Sequence, residues 1–139
     1  MESVHRFRSA VVDYALKRLF IEYRSTMENP TFYLRVYDYG EKLARAKKEY
    51  TDRAKETIKF LVSMGANINI RFYFNSEYTG LMMAAENNFV ELAEFLLAAG
   101  IDPDLKNGNG ERALDLANKK HNTAIIELIN AKIHRSERD

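Results

Sequence analysis

A chain of 139 residues, with 46% hydrophobic and 29% charged side chains, is sized for one globular domain and too ordered in composition for wholesale disorder. The 21 Lys and Arg against 20 Asp and Glu leave a net charge of +1, which removes the simple electrostatic case for a dedicated nucleic-acid binder. The absence of cysteine excludes disulfides, thiolate metal sites and cysteine nucleophiles, and it fits a reducing, cytoplasmic setting.

Residues 1–8 are not followed by the apolar run of a targeting peptide, and nowhere do ~18 apolar residues follow one another. No membrane association is therefore expected. The charge is uneven: residues 1–59 hold 13 basic and 9 acidic side chains, residues 60–139 hold 8 and 11. Solvated helix surface accounts for that asymmetry, although a basic face for an acidic partner would look the same.

In chain order, Val12, Ala15, Leu16, Leu19 and Tyr23 repeat at helical spacing, and Val4, Phe7 and Val11 extend the stripe backward. Asn29-Pro30 breaks it, because the residue before proline is pushed out of the α region. A second helix is expected through Phe32, Val36, Tyr39, Leu43, Ala46 and Tyr50, with Gly40 its one weak position. Thr51 or Asp52 would cap a third helix carrying Ala54, Ile58, Leu61 and Val62, closed by Gly65 as a left-handed C-terminal residue. Beyond it, short helices alternate with Gly- and Asn-rich loops. The helices are expected near 80–87, through Phe89, Leu92, Ala93, Phe95, Leu96 and Leu97 to Gly100, and over 113–119 and 123–132. Residues 101–110 read as a loop, with strong turn chemistry in Asp102-Pro103-Asp104 and Asn107-Gly108-Asn109-Gly110.

Comparing the chain with itself gives a period of 33. Leu81 falls on Leu114, Ala84 on Ala117, Leu92-Ala93 on Ile125-Ile126, and Phe95-Leu96 on Leu128-Ile129. A loop and two helices at that period resemble ankyrin repeats, over residues 54–133. The best unit runs from Gly65-Ala66-Asn67-Ile68-Asn69 through Tyr78-Thr79-Gly80-Leu81-Met82-Met83-Ala84-Ala85 to Val90-Glu91-Leu92-Ala93-Glu94-Phe95-Leu96-Leu97. These stand where the family has G-A-D-V-N, T-P-L-H-x-A-A and x-E-I-V-K-L-L-L. Its successor, from Gly100 through Gly110 and Ala117 to Ile129, keeps the outline with more substitutions.

The departures are specific. The first loop is about two residues longer than the second, the family proline is Gly80 and Ala113, and the family histidine is Met82 and Asp115. Those losses are expected to loosen the turns that start the inner helices. His121 stands where the family has glycine between its helices. The resemblance implies an all-α ankyrin-repeat solenoid in one domain: a capping helix over 1–30, a degenerate repeat over 31–64, repeats over 65–99 and 100–133, and a tail over 134–139. In the degenerate repeat, Leu43 and Ala46 would lie on the inner helix and Ile58, Phe60, Leu61 and Val62 on the outer one.

Catalytic chemistry finds little footing. His5, His121 and His134 are isolated in sequence and lack the spacing that places two metal ligands on one helical face. Glu91/Glu94 and Asp102/Asp104 suit a polar helix face and a turn rather than a cleft with a perturbed carboxyl. The Asp102 loop also fails as a calcium loop, since its fifth and twelfth positions hold Lys106 and Ala113. No enzyme activity, cofactor or metal is expected.

Stacked repeats instead create a concave surface from hairpin tips and inner helices. The resemblance points to Tyr73, Asn75, Ser76, Tyr78, Lys106, Asn109 and Glu111 in the loops, and to Glu86, Asn87, Lys119 and Lys120 on the inner helices; the composition of the long loop adds Arg71. The long loop is aromatic, with Arg71-Phe72-Tyr73-Phe74 and Tyr78, and Tyr and Arg dominate interface hot spots. Phe72 and Phe74 would either join that surface or turn inward over the core. The expected function is non-catalytic binding of another protein, by a chain that is a monomer when free. Alternatives are a toxin-neutralising immunity protein, a secreted bacterial effector, or a structural protein that self-associates through its N-terminal helices.

Overall fold

A computed structural model describes residues 10–21, 39–74 and 76–138. The chain divides into two compact units, Met1–Ala66 and Asn67–Asp139.

In the first unit, residues 10–21 form helix α1. Val12, Leu16 and Phe20 are buried along it at every fourth position, while Val11 and Tyr14 are exposed. The buried face thus runs through Phe20, which the sequence stripe passes over. Val4, Phe7, Tyr23, Asn29-Pro30, Phe32 and Val36 lie outside the described residues, as do the side chains of Tyr39, Leu43 and Ala46.

Helix α2 runs without interruption from Tyr39 to Ser63. The expected boundary at Thr51-Asp52 does not exist, so the two-helix repeat proposed across this segment has no turn there. Thr51 is instead buried in the same series as Ala54, Ile58 and Leu61. A Thr at an N-cap and a Thr on a helical face read alike when no Gly or Pro forces a break. Phe60, expected on the outer helix of that repeat, is 62% exposed.

Helix α2 ends as expected on Gly65, at φ 100°. Gly65 N–H donates to Val62 O at 3.0 Å and Ala66 N–H to Leu61 O at 2.9 Å, the paired bonds of a Schellman turn. The same turn recurs at Gly100, where Gly100 N–H meets Leu97 O and Ile101 N–H meets Leu96 O. It recurs again at His121, where His121 N–H meets Asn118 O and Asn122 N–H meets Ala117 O. Asn88 holds the equivalent place 33 residues earlier, and the two non-glycines sit at φ 57° and 56°. Left-handed C-terminal turns therefore reverse the chain at each of these helix ends.

The second unit holds strands β1 (Phe72–Phe74) and β2 (Ser76–Tyr78) and helices α3 (Gly80–Asn87), α4 (Val90–Ala98), α5 (Ala113–Lys119) and α6 (Thr123–Arg138). Helix α6 continues past the expected tail boundary, so His134 is helical. The longer first loop becomes an antiparallel hairpin pairing Phe72 with Tyr78, Tyr73 with Glu77 and Phe74 with Ser76. Phe72 is 1% exposed, which settles the alternative for that ring in favour of the interior.

Helix α3 packs against α4 and α5, α4 against α6, and α5 against α6, giving two stacked helix pairs. Gly80 through Ala85 are all buried. The inner helices start firmly despite the missing proline and histidine. Thr79 Oγ accepts from Met82 N–H at 3.3 Å, and Asp115 accepts from Arg112 N–H at 2.9 Å. The second start thus replaces the family threonine with an acid three residues inside the helix. Two side-chain bonds stitch the pairs together: Asp102 N–H donates to Asn69 Oδ1 at 2.8 Å, and Asn122 Nδ2 to Ala85 O at 2.6 Å.

Because a side chain at positive φ costs roughly 1–2 kcal/mol, His121→Gly relieves strain that outweighs the greater freedom of glycine in the unfolded chain. We expect it to raise stability by about 0.5–1 kcal/mol in urea unfolding. An unchanged or lower midpoint would show that residue 121 does not hold the left-handed turn.

Candidate functional site

The chemistry of the second unit gathers where each loop returns to its inner helix. In the first repeat, the Tyr78 hydroxyl donates to Glu86 Oε1 at 3.4 Å. In the second, Lys119 Nζ donates to Glu111 Oε2. Residues 78 and 111 are 33 apart, as are 86 and 119, so one geometric brace is built twice from different chemistry. Each ties the last residues of a loop to the far end of the helix that follows it.

Tyr78 corrects the sequence reading. It was expected as an exposed hot spot, but it is 7% exposed, opposite buried Phe72 on the hairpin. Adjacent strand residues alternate faces, and the pairing register places Phe72 and Tyr78 together on the inward one. The side chains of Tyr73, Phe74 and Ser76, and all of Asn75, lie outside the described residues. Arg71 is exposed beside the hairpin, its Nη1 lying 3.3 Å from Glu77 Oε2. Glu86 and Asn87 are half-buried at the end of α3, and Asn87 Nδ2 bonds back to Met83 O at 2.9 Å. Lys106, Asn109, Lys119 and Lys120 are exposed.

The second loop is organised by Asn107, which the sequence marks only as part of a turn. Asn107 is 6% exposed, and its Oδ1 accepts from the backbone N–H of both Asn109 and Glu111 at 2.9 Å. Its Nδ2 donates to Glu111 Oε1 at 3.3 Å. Its backbone is also engaged, with Asn107 N–H to Glu111 O at 2.8 Å and Gly110 N–H to Asn107 O at 3.0 Å. The doubled Asn-Gly announced a turn; which Asn lay inside depended on tertiary burial. Arg112 was also missed, and it faces Asp104 at 3.8 Å and Asp115 at 3.6 Å.

The hydrogen bond from Lys119, aided by that from Asn107, holds the Glu111 carboxyl below its ordinary range against the opposing effect of burial. The same contact raises Lys119. Among the described residues no three His, Asp or Glu side chains stand together to hold a metal, and no helix is long and apolar enough to cross a membrane. The arrangement is a polar surface fixed by internal ion pairs.

Comparison with known families assigns the fold outright. Residues 46–137 match the family model of ankyrin repeats (3 copies), and the chain belongs to the ankyrin-repeat family. It is also 33% identical over 84 residues to a putative ankyrin repeat protein of Acanthamoeba polyphaga mimivirus. That match covers 60% of this chain and only 11% of the relative's length. Ankyrin repeats are generally protein–protein interaction modules and typically non-catalytic.

A depressed carboxylate stabilises the fold above its unfolded pKa, and that contribution disappears as pH falls through its lower folded value. We expect the Glu111 carboxyl, followed by NMR titration, to hold its charge further into acid than an ordinary glutamate side chain does. Lys119→Met should move its midpoint upward. An unmoved midpoint would mean that the brace does not form in solution.

Proposed function

We propose that the second unit binds a partner protein through the surface formed by its loop returns and inner-helix ends. The residues offered to the partner are Arg71, Glu86, Asn87, Lys106, Asn109, Glu111, Lys119 and Lys120, to which the sequence of the first loop adds Tyr73, Asn75 and Ser76. Tyr78 serves this surface from beneath, by holding Glu86.

The observation that carries this reading is the repeated brace between residues 78 and 86 and between 111 and 119. Loops with few contacts lose conformational freedom on binding, and that loss weakens association. Here each loop is anchored to its helix beforehand, so a partner meets polar groups already in place. The exposed amines of Lys106 and Lys120 and the carboxamide of Asn109 suit directional hydrogen bonds rather than apolar adhesion. No step of bond making or breaking is needed.

The test is affinity capture from host extract, quantified by mass spectrometry, with three forms of the protein. Lys106→Ala/Asn109→Ala/Lys120→Ala should lose the protein captured by the wild type while keeping its helical circular dichroism. Glu94→Ala/Lys132→Ala, which alters the open groove between α4 and α6, should retain it. Equal capture by all three forms would reject this surface.

A further inference from the structure

The loop Asn107-Gly108-Asn109-Gly110 contains two successive Asn-Gly steps, the pairing in which a backbone nitrogen most readily reaches a side-chain amide because glycine adds no steric barrier. We propose that this loop is a spontaneous deamidation site at which the fold directs reaction to Asn109 and shields Asn107.

In the reaction, the Gly110 nitrogen gives its proton to hydroxide and attacks Asn109 Cγ. A nitrogen–carbon bond forms, the bond from Cγ to Nδ2 breaks, and the departing nitrogen takes a proton to leave as ammonia. Water then opens the cyclic imide at either carbonyl, leaving an aspartyl or an isoaspartyl residue. The step therefore needs a side-chain carbon free to turn toward the next nitrogen, a nitrogen free of other bonds, and access to water.

The two steps differ in what the fold withholds. At Asn107-Gly108 the electrophile is fixed: Asn107 is 6% exposed, and its carboxamide is engaged with Asn109 N–H, Glu111 N–H and Glu111 Oε1. At Asn109-Gly110 both residues are exposed, and the restraints are the bond from Gly110 N–H to Asn107 O and the contact of the Asn109 side chain with Glu111. Releasing these exposed contacts is a small local opening. Freeing the Asn107 carboxamide requires dismantling the loop and the Glu111 contact that Lys119 supports. The product places a carboxylate, and half the time or more a lengthened backbone, beside Glu111. That repulsion acts on the residue that ties this loop to α5.

The experiment incubates the full chain in mildly alkaline buffer, with and without denaturing urea, and maps aspartyl and isoaspartyl products by peptide mass spectrometry. In the folded chain Asn109 should react roughly tenfold faster than Asn107, the gap expected from losing one further hydrogen bond and opening a buried rather than an exposed residue. In urea the two should react at similar rates. Lys119→Met should speed Asn107 selectively, because it frees Glu111. Asn109→Gln should leave the folded loop without appreciable product. Equal rates in the folded chain, or a folded chain whose Asn109 is as inert as Asn107 while both react in urea, would overturn the proposal.

Discussion

Helix α3 is too short and too apolar to exist by itself. It has eight residues, and the six from Gly80 to Ala85 are buried on every side of the helix. Isolated helices of this length are marginal even with favourable sequences, and this one lacks the polar face that would keep it in water. Its stability is therefore borrowed from α4 and α5, which pack against it. Full burial of Leu81, Met82 and Met83 contributes about 2 kcal/mol each, realised only when both neighbours are in place. The left-handed turns at Asn88, Gly100 and His121 serve that requirement by reversing the chain. The bonds from Asn122 to Ala85 O and from Asp102 N–H to Asn69 then hold one helix pair on the next.

Once the apolar faces are spent on stacking, the remaining surface is free to vary. The brace between loop and inner helix shows how far that freedom goes: a phenol and a carboxylate in one repeat, a carboxylate and an amine in the next. Geometry is kept while charge is exchanged. A recognition surface on such a scaffold changes its partner by changing side chains at fixed positions, and the fold need not move. The same rigidity separates the fates of the two Asn-Gly steps, because Asn107 is part of the framework and Asn109 is part of the surface.

Much of this was legible in the sequence, and the reason is physical. A 33-residue period, the αL positions at Gly65 and Gly100 and the apolar run of α3 are local signals that packing reinforces. Residues 80–87 and 113–119 were accordingly read at their observed bounds. His121 was recognised as a glycine substitute, and φ 56° bears that out. The failures arose where a residue type serves two roles. Thr51 looked like a cap and is a buried helical residue; Tyr78 looked like a hot spot and is an interior ring with its hydroxyl on Glu86. Asn107 was indistinguishable from Asn109 until burial separated them. The inner-helix starts held because Thr79 accepts from Met82 N–H at the first and Asp115 accepts from Arg112 N–H at the second.

The two helix pairs of the second unit pack on one another and so form one cooperative structure whose shared core fixes the surface. Native-state hydrogen exchange on the wild type and on Asn122→Ala tests it most directly. The slowest amides of α3 and α5 should open with the same free energy. Removing the Asn122 carboxamide should lower both by about 1–2 kcal/mol, since Ala85 O loses its donor. If α5 alone were weakened while α3 kept its protection, the pairs would be independent and the account would be wrong.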